Sequence, residues 1–324
     1  MAAAVFDKLA LIGAGLIGSS IARAAAETGA AAEISVWDRD PVVREAADEL
    51  GLGQVTPDLQ GAVTGADCVI LCVPVGAIGA VTQAVADDLA PGAILTDVGS
   101  VKTVAASAMA EHAPGAIHVI PGHPIAGTEA SGPAAGFASL FKGAWHILTP
   151  LASETEKPGH RDAVKTLTAF WERLGARVET MAAERHDRVL AITSHLPHLI
   201  AFNIVSTAYD MERIDEQEVV KYSAGGFRDF TRIAASDPTM WRDVFLTNKA
   251  AVLETLGRFS EDLAALQRAI RWDDGDMLYE AFSRARGIRQ AIIDAGMDRS
   301  EVNFGRDQRP DADLNSPIDP NRDA

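Results

Sequence analysis

The stretch "LALIGAGLIGSSIARAAAETG", Leu9 to Gly29, sets an apolar run against a helical pattern, with Gly13, Gly15 and Gly18 at the junction. This is the G-x-G-x-x-G spacing of a strand that turns into a helix over a dinucleotide. Gly13 permits the tight turn, Gly15 lets the backbone approach a pyrophosphate, and Gly18 lets helix and strand pack closely. Leu16 and Ile17 then stand at the helix N-terminus that faces the phosphates. Asp38 ends the next apolar run in "ISVWDRD", 20 residues after Gly18. An acid there accepts hydrogen bonds from the adenosine ribose and repels a 2′-phosphate, which favours NAD over NADP; the neighbouring Arg39 tempers that preference.

Outward from this junction, apolar runs predict strands at Leu9–Ile12, Ile34–Trp37, Cys68–Val73, Ala93–Thr96, Ile117–Ile120, His146–Leu148 and Arg177–Thr180. Several are nearly continuous in apolar residues, as parallel strands covered on both faces require. Helical patterns at Leu16–Thr28, Pro41–Leu50, Ala77–Leu89, Lys102–Glu111 and Arg161–Leu174 lie between them. The alternation predicts an α/β fold with a doubly wound Rossmann sheet in a dinucleotide-binding domain, residues 1–181. Beyond Met181 the pattern is helical throughout, and residues 182–302 read as a substrate and dimerisation domain. Leu253, Leu256, Leu263, Leu266 and Ile270 form one apolar stripe that asks for a partner, which points to a homodimer. Residues 303–324, rich in Asp, Pro, Asn and Arg, read as a disordered tail.

A net charge of −16 over 324 residues argues against nucleic-acid binding, which rests on clustered Lys and Arg. No apolar run reaches about 18 residues, the length of a membrane span, and the N-terminus enters a strand without a signal-peptide pattern. The chain therefore reads as cytoplasmic, with no membrane partner. Cys68 and Cys72 fall on one face of a single strand, where a reduced structural pair is expected and a disulfide is not.

Ligands of open α/β sheets lie beyond the carboxyl ends of the strands. Two further strand ends, "LCVPVGAI" with Val73, Pro74 and Val75 and "LTDVGSVK" with Asp97, Ser100 and Lys102, should therefore border the cofactor. Ser100 is suited either to cap the following helix or to meet a substrate hydroxyl beside the nicotinamide. "GHPIAGTEASG", Gly122 to Gly132, places His123 after a strand end among small residues. A hydroxyl that loses a hydride to the nicotinamide must also lose a proton, and histidine is the acceptor suited to neutral pH. His112, His118, His146, His160 and His186 carry only core or surface readings. His195 and His198 in "TSHLPH" lack a third ligand at helical spacing, so no metal site is expected. Arg228, Asp229, Arg232, Trp241 and Arg242 crowd the segment "GGFRDFTRIAASDPTMWRD"; Arg232 is suited to grip a carboxylate with both forks of its guanidinium.

Together, "GAGLIGSS", "TDVGSVK", "GHPIAGTEASG", "SHLPH" and "GGFRDFTRIAASDPTMWRD", in this order and spacing, resemble the prephenate dehydrogenase family of tyrosine biosynthesis. That family includes cyclohexadienyl and arogenate dehydrogenases, and the likeness runs from about Lys8 to about Gly296. The resemblance implies a Rossmann domain, a dimerising helical domain, and NAD-dependent oxidative decarboxylation of prephenate to 4-hydroxyphenylpyruvate. It implies that His123 assists deprotonation of the ring hydroxyl and that Ser100 orients it. It implies that Arg232 holds a substrate carboxylate and that His198 meets the substrate side chain, which favours prephenate over arogenate; an acidic chain that binds a dianion must also gather positive charge locally, and Lys102 or Arg228 is placed to add to it. Thr128 joins the substrate-binding set, Glu129 and Asp229 an ionic network that gates the site, and Trp241 reaches toward the partner subunit's site. A β-hydroxyacid dehydrogenase of the 6-phosphogluconate type shares the layout but uses a lysine base, and "ERHDRVLAITSHLPHLIAFN" contains no lysine.

Overall fold

The structure, a computed structural model, describes residues 3–212 and 225–294; the tail expected from residue 303 lies outside the described residues. Strands β1 (Phe6–Ile12), β2 (Ala31–Trp37), β3 (Gln54–Val55), β4 (Cys68–Leu71), β5 (Ile94–Asp97) and β6 (His118–Val119) form one sheet. Its order is β3-β2-β1-β4-β5-β6 and every pairing is parallel, the arrangement of a dinucleotide-binding Rossmann sheet. Strands β7 (Gly122–Ile125), β8 (Trp145–Leu148) and β9 (Arg177–Thr180) form a second sheet, β8 running antiparallel to β7 and parallel to β9.

Alternation along Leu9–Ile12 of β1 and along β4 explains their unbroken apolar character. Leu9, Leu11, Cys68 and Ile70 enter one core with Ile21, Phe170 and Trp171, while Ala10, Ile12, Val69 and Leu71 enter another with Ile78, Leu95 and Met109. Both faces are covered, so neither has room for a polar side chain. Cys68 and Cys72 share the first face as reduced thiols, and burial pushes both upward from the usual thiol range.

The helices are α1 (Leu16–Thr28), α2 (Pro41–Glu49), α3 (Leu59–Val63), α4 (Ile78–Val85), α5 (Lys102–His112), α6 (His160–Arg173), α7 (Ala183–Leu190), α8 (Leu196–Glu212), α9 (Gly225–Thr231), α10 (Pro238–Thr247), α11 (Lys249–Arg271) and α12 (Gly275–Asp294). A π-helical turn, Ala191–His195, joins α7 to α8. Pro197 has no N–H for the helical ladder, and the wider turn absorbs that missing bond. The continuous helix Ala183–Met211 is long and apolar enough to cross a membrane by length and composition. Its buried His186, Asp187 and His195, however, all bond to groups within the protein. The chain divides into two compact units, Met1–Phe259 and Ser260–Ala324, so the first takes in α7 to α10 as well as the Rossmann sheet.

The sequence and the structure differ at the expected strand Ile117–Ile120, which shortens to β6 ahead of Pro121. Two residues stay in the parallel sheet, and the chain then enters β7 on the second sheet, so His123 lies within a strand instead of after one. β7 is an edge strand, which explains how it accommodates Pro124. β3 and α3 are too short for any periodicity to announce them.

A buried ion pair joins the two sheets. Asp97, the last residue of β5, meets the ammonium of Lys102, and both side chains are fully buried. The Asp97 carboxylate also accepts the N–H of Gly99 at 2.8 Å and that of Gly122 at 3.2 Å, while Lys102 Nζ donates to the Gly122 carbonyl at 2.7 Å. The first residue of β7 is thereby tied to the end of β5. Burial pulls the lysine downward from its usual range, and Asp97 opposes that shift. Removing one partner would leave the other charge buried alone, so Lys102→Met should lower the unfolding free energy by about 3–5 kcal/mol in chemical denaturation.

Candidate active site

α1 begins at a residue with no side chain to cap it. Gly15 occupies the N-cap position without a side-chain hydrogen bond, and the leading N–H groups, those of Leu16, Ile17 and Gly18, have no intrahelical acceptor. A Cβ at Gly15 would meet no atom within 4 Å. Gly13 and Gly18 are enclosed: at Gly13, with φ 106°, a Cβ would press into the Cys72 carbonyl, and one at Gly18 into the Gly13 carbonyl. Two glycines therefore close the strand against the helix, and the third leaves a cradle that fits a diphosphate.

Asp38 follows β2 and accepts the N–H of Ala14 at 2.9 Å and of Asp40 at 3.0 Å. Its carboxylate is fixed beside the glycine loop with lone pairs to spare for ribose hydroxyls. Arg39 is exposed, and Arg44 Nη1 donates to the carbonyls of Asp38 and Arg39 at 2.6 and 3.2 Å. Val73 packs against the β4–β5 core, and Pro74 opens the short 3₁₀ turn Val75–Ala77 beyond β4.

His123 pairs with Ile147 across β7 and β8 and is 9% exposed. Its Nδ1 lies 2.8 Å from His186 Nε2, and His186 Nδ1 lies 2.8 Å from Asp187 Oδ1. Burial drives the His123 imidazole well below its ordinary range, reinforced by His186, Lys102, His146 and His195. It therefore stays neutral, as a proton acceptor must. His186 is thus a direct partner of His123, not the bland core or surface residue that its sequence context suggested. Only the fold joins them, across 63 residues.

Ser100 does not cap α5. The N-cap is Val101, without a side-chain bond, and Asp187 serves the helix instead, accepting the N–H of Lys102 at 2.7 Å and of Thr103 at 2.9 Å. This releases the Ser100 hydroxyl from the capping role. The Ser100 backbone lies against His195, whose Nδ1 is 3.1 Å from Asn248 Nδ2 and whose pKa burial brings down to about 4.

Arg232 Nη1 donates to Glu129 Oε2 at 2.7 Å, which brings together two of the expected substrate-side residues. Thr128 shares the Glu129 loop, its Oγ1 accepting the Ala130 N–H at 3.2 Å. His198 Nδ1 donates to the Ser194 carbonyl at 2.8 Å, and its ring stacks on Trp241 with centroids 3.7 Å apart. Burial lowers the His198 pKa, the Ser194 carbonyl opposes that shift, and Arg232 adds to it.

Trp241 is 6% exposed and packed with Val75, Val101 and Val244 of its own chain. Another expectation needs correction. Asp229 is about three-quarters exposed beside Arg228 at 4.0 Å and stands apart from the Arg232–Glu129 pair. The reason is local: α9 ends at Thr231 and a 3₁₀ turn begins at Arg232. Lys102 is fully buried against Asp97, and Arg228 faces solvent beside Asp229. At the β6 edge, His118, Glu154 and His160 bring ligand-type atoms within 4.8 Å of one another. There Lys157 Nζ already sits 3.2 Å from both Glu154 oxygens.

Comparison with known proteins matches residues 21–180 to the family model "Prephenate dehydrogenase, nucleotide-binding domain" and residues 182–284 to "Prephenate dehydrogenase, dimerization domain". A cyclohexadienyl dehydrogenase of Zymomonas mobilis is 44% identical over 289 residues, spanning 89% of this chain and 97% of that protein. The crystal structure of prephenate dehydrogenase from Aquifex aeolicus with hydroxyphenyl propionate and NAD+ is similar at a TM-score of 0.78 and 32% identity, covering 88% of this chain and 98% of that one. Synechocystis arogenate dehydrogenase is similar at a TM-score of 0.72 and 27% identity, with 88% and 99% covered.

Burial depresses His123, His146, His186, His195 and His198 together. Each binds fewer protons folded than unfolded below its ordinary value of 6.5, so acid favours the unfolded chain. Thermal melts followed by circular dichroism should show a stability plateau above that pH and a progressive loss as pH falls below it.

Proposed function

Because the chain belongs to the prephenate dehydrogenase family, we propose that it catalyses the NAD-dependent oxidative decarboxylation of prephenate to 4-hydroxyphenylpyruvate in tyrosine biosynthesis. The observation that carries this reading is His123: a neutral, buried imidazole on β7, tied through Gly122 to the end of β5, where an open sheet receives its ligands. Leu16, Ile17 and Gly18 would hold the cofactor diphosphate, Asp38 the adenosine ribose, and Val73, Pro74 and Ser100 would border the nicotinamide. Bound there, NAD supplies the hydride acceptor.

His123 takes the proton of the ring hydroxyl, with Ser100 orienting that hydroxyl. As a hydride leaves the hydroxyl-bearing carbon, the carbon–carboxylate bond of prephenate breaks, its electrons enter the ring, and carbon dioxide departs. Aromatisation favours the step, so the protein's work is to position the reactants and receive one proton. Arg232 holds a carboxylate of the substrate. Its present partner Glu129, at 2.7 Å, yields to that carboxylate on entry, which makes the pair a gate. Residues 1–181 carry the cofactor and 182–302 the substrate site. Leu253, Leu263 and Ile270, exposed in the single chain, supply apolar surface for a homodimer, in keeping with the dimerization-domain match. The setting is the cytoplasm.

L-Arogenate is a second substrate on this reading, for a reason the sequence did not reveal. His198 spends its Nδ1–H on the Ser194 carbonyl. When neutral it therefore offers an acceptor at Nε2, which suits the ammonium of arogenate, while prephenate stays the favoured substrate.

NADH formation measured with each substrate, and with NAD and NADP, should show turnover of both substrates and a preference for NAD; no turnover of prephenate would overturn the proposal. His123→Asn should reduce kcat by about 10²–10⁴-fold with little change in KM. Arg232→Ala should raise KM by about 10-fold or more, as expected for loss of a charge-assisted bond to a carboxylate.

A further inference from the structure

We infer that Asp187 and His186 form a positioning relay behind His123, one that fixes its proton on Nδ1, presents Nε2 as the basic atom, and spreads the charge that His123 acquires. The inference rests on the reading of His123 as the proton acceptor and extends it to two residues outside that assignment.

The locations of the protons follow from the ends of the chain of bonds. Asp187 receives the N–H groups of Lys102 and Thr103 at the start of α5, at 2.7 and 2.9 Å. Burial works against its ionisation, but the bonds from His186, Lys102 and Thr103 prevail, and its pKa is lowered from the usual carboxylate value. The helix N-terminus adds positive potential at the same place. An ionised carboxylate only accepts, so the hydrogen between His186 Nδ1 and Asp187 Oδ1, 2.8 Å apart, belongs to His186. His186 is neutral, because burial outweighs the opposing pull of Asp187. Its Nε2 then carries a lone pair and must accept from His123 Nδ1, 2.8 Å away. With Nδ1 protonated and the ring neutral, the basic atom of His123 is Nε2.

The same bonds act after proton transfer. When the substrate O–H breaks and an N–H forms at His123 Nε2, the imidazolium keeps an Nδ1–H directed at His186 Nε2. The positive charge is then shared along a line that ends on a carboxylate. The other titratable groups facing the pair are Lys102, His146 and His195 on His123, and Lys102 and Asp97 on His186. None of these is a carboxylate bonded to either ring. Asp187 is therefore the only anion in the relay, and it arrives from α7, on the far side of the sequence boundary at Met181. Asn248 Nδ2 holds the Asp187 carbonyl at 2.8 Å and fixes that end in place.

Four variants and ¹⁵N spectra of two forms test the relay in the full-length enzyme. His186→Leu should lower kcat by about 100-fold or more, the scale of general-base assistance, with the KM for prephenate and the Kd for NAD within about twofold. His186→Gln, whose carbonyl can accept from His123 Nδ1, should recover about tenfold of that loss, which a merely structural role would not predict. In ¹⁵N-histidine NMR, His123 should be protonated at Nδ1 in the wild type. Asp187→Asn can donate to His186 and reverse both rings, which should move the His123 proton to Nε2. A wild-type spectrum with the proton on Nε2, or a His186→Leu enzyme within threefold of wild-type kcat, would overturn the relay. If His123→Asn is inactive while His186→Leu is fully active, the relay fails and the proton acceptor stands. If His123→Asn keeps wild-type kcat, the reading beneath both fails.

Discussion

The Lys102–Asp97 pair is the constraint on which the candidate active site depends. Two unit charges without solvent contact are costly unless every lone pair and proton is used. Here the carboxylate takes Lys102 and two backbone N–H groups, and the ammonium takes a backbone carbonyl as well. Two of those backbone groups belong to Gly122, so satisfying the charges requires β7 to start beside the end of β5. His123 follows directly. Its distance from the carboxyl edge of the Rossmann sheet is therefore set by electrostatics in a dry interior, not by local chain preference. A cost of several kcal/mol for a broken pair leaves little room for alternatives.

The same helix start does a second job. α5 lacks a cap from its own sequence, and Asp187 supplies one from α7. One carboxylate thus secures α5 and orients His186. A side chain that docks a helical segment against the sheet is also the one that sets the state of an imidazole in the site. Stability and chemistry are coupled here through a single residue.

An acidic chain that binds a dianion must concentrate positive charge locally. Most candidate cations prove to be committed elsewhere: Lys102 is neutralised inside the fold and Arg228 lies at the surface beside Asp229. Arg232 is the cation set within the substrate-side group, and Glu129 is its counterion. In the proposed function, exchange of Glu129 for a substrate carboxylate would keep the guanidinium paired throughout, which would lower the electrostatic penalty of both states.

Much of this protein was legible in its sequence because the relevant physics is local. Apolar continuity located the parallel strands, glycine spacing located the turn from β1 into α1, and Asp38 lies beside that turn. The motif order around His123 and Arg232 was equally plain. His186 and Asp187 were not, because nothing in "ERHDR" distinguishes a buried relay from an ordinary helix face. Asp229 was misplaced for the converse reason: membership in a dense motif says nothing about which way a short helix turns its side chains. Local pattern determined the Rossmann fold, the cofactor cradle and the family. Tertiary structure alone decided which histidine supports His123, which carboxylate caps α5 and which cation remains for an anionic substrate. Those choices depend on burial and on hydrogen-bond partners as many as 103 residues apart, and low dielectric makes each unpaired group too costly to leave open.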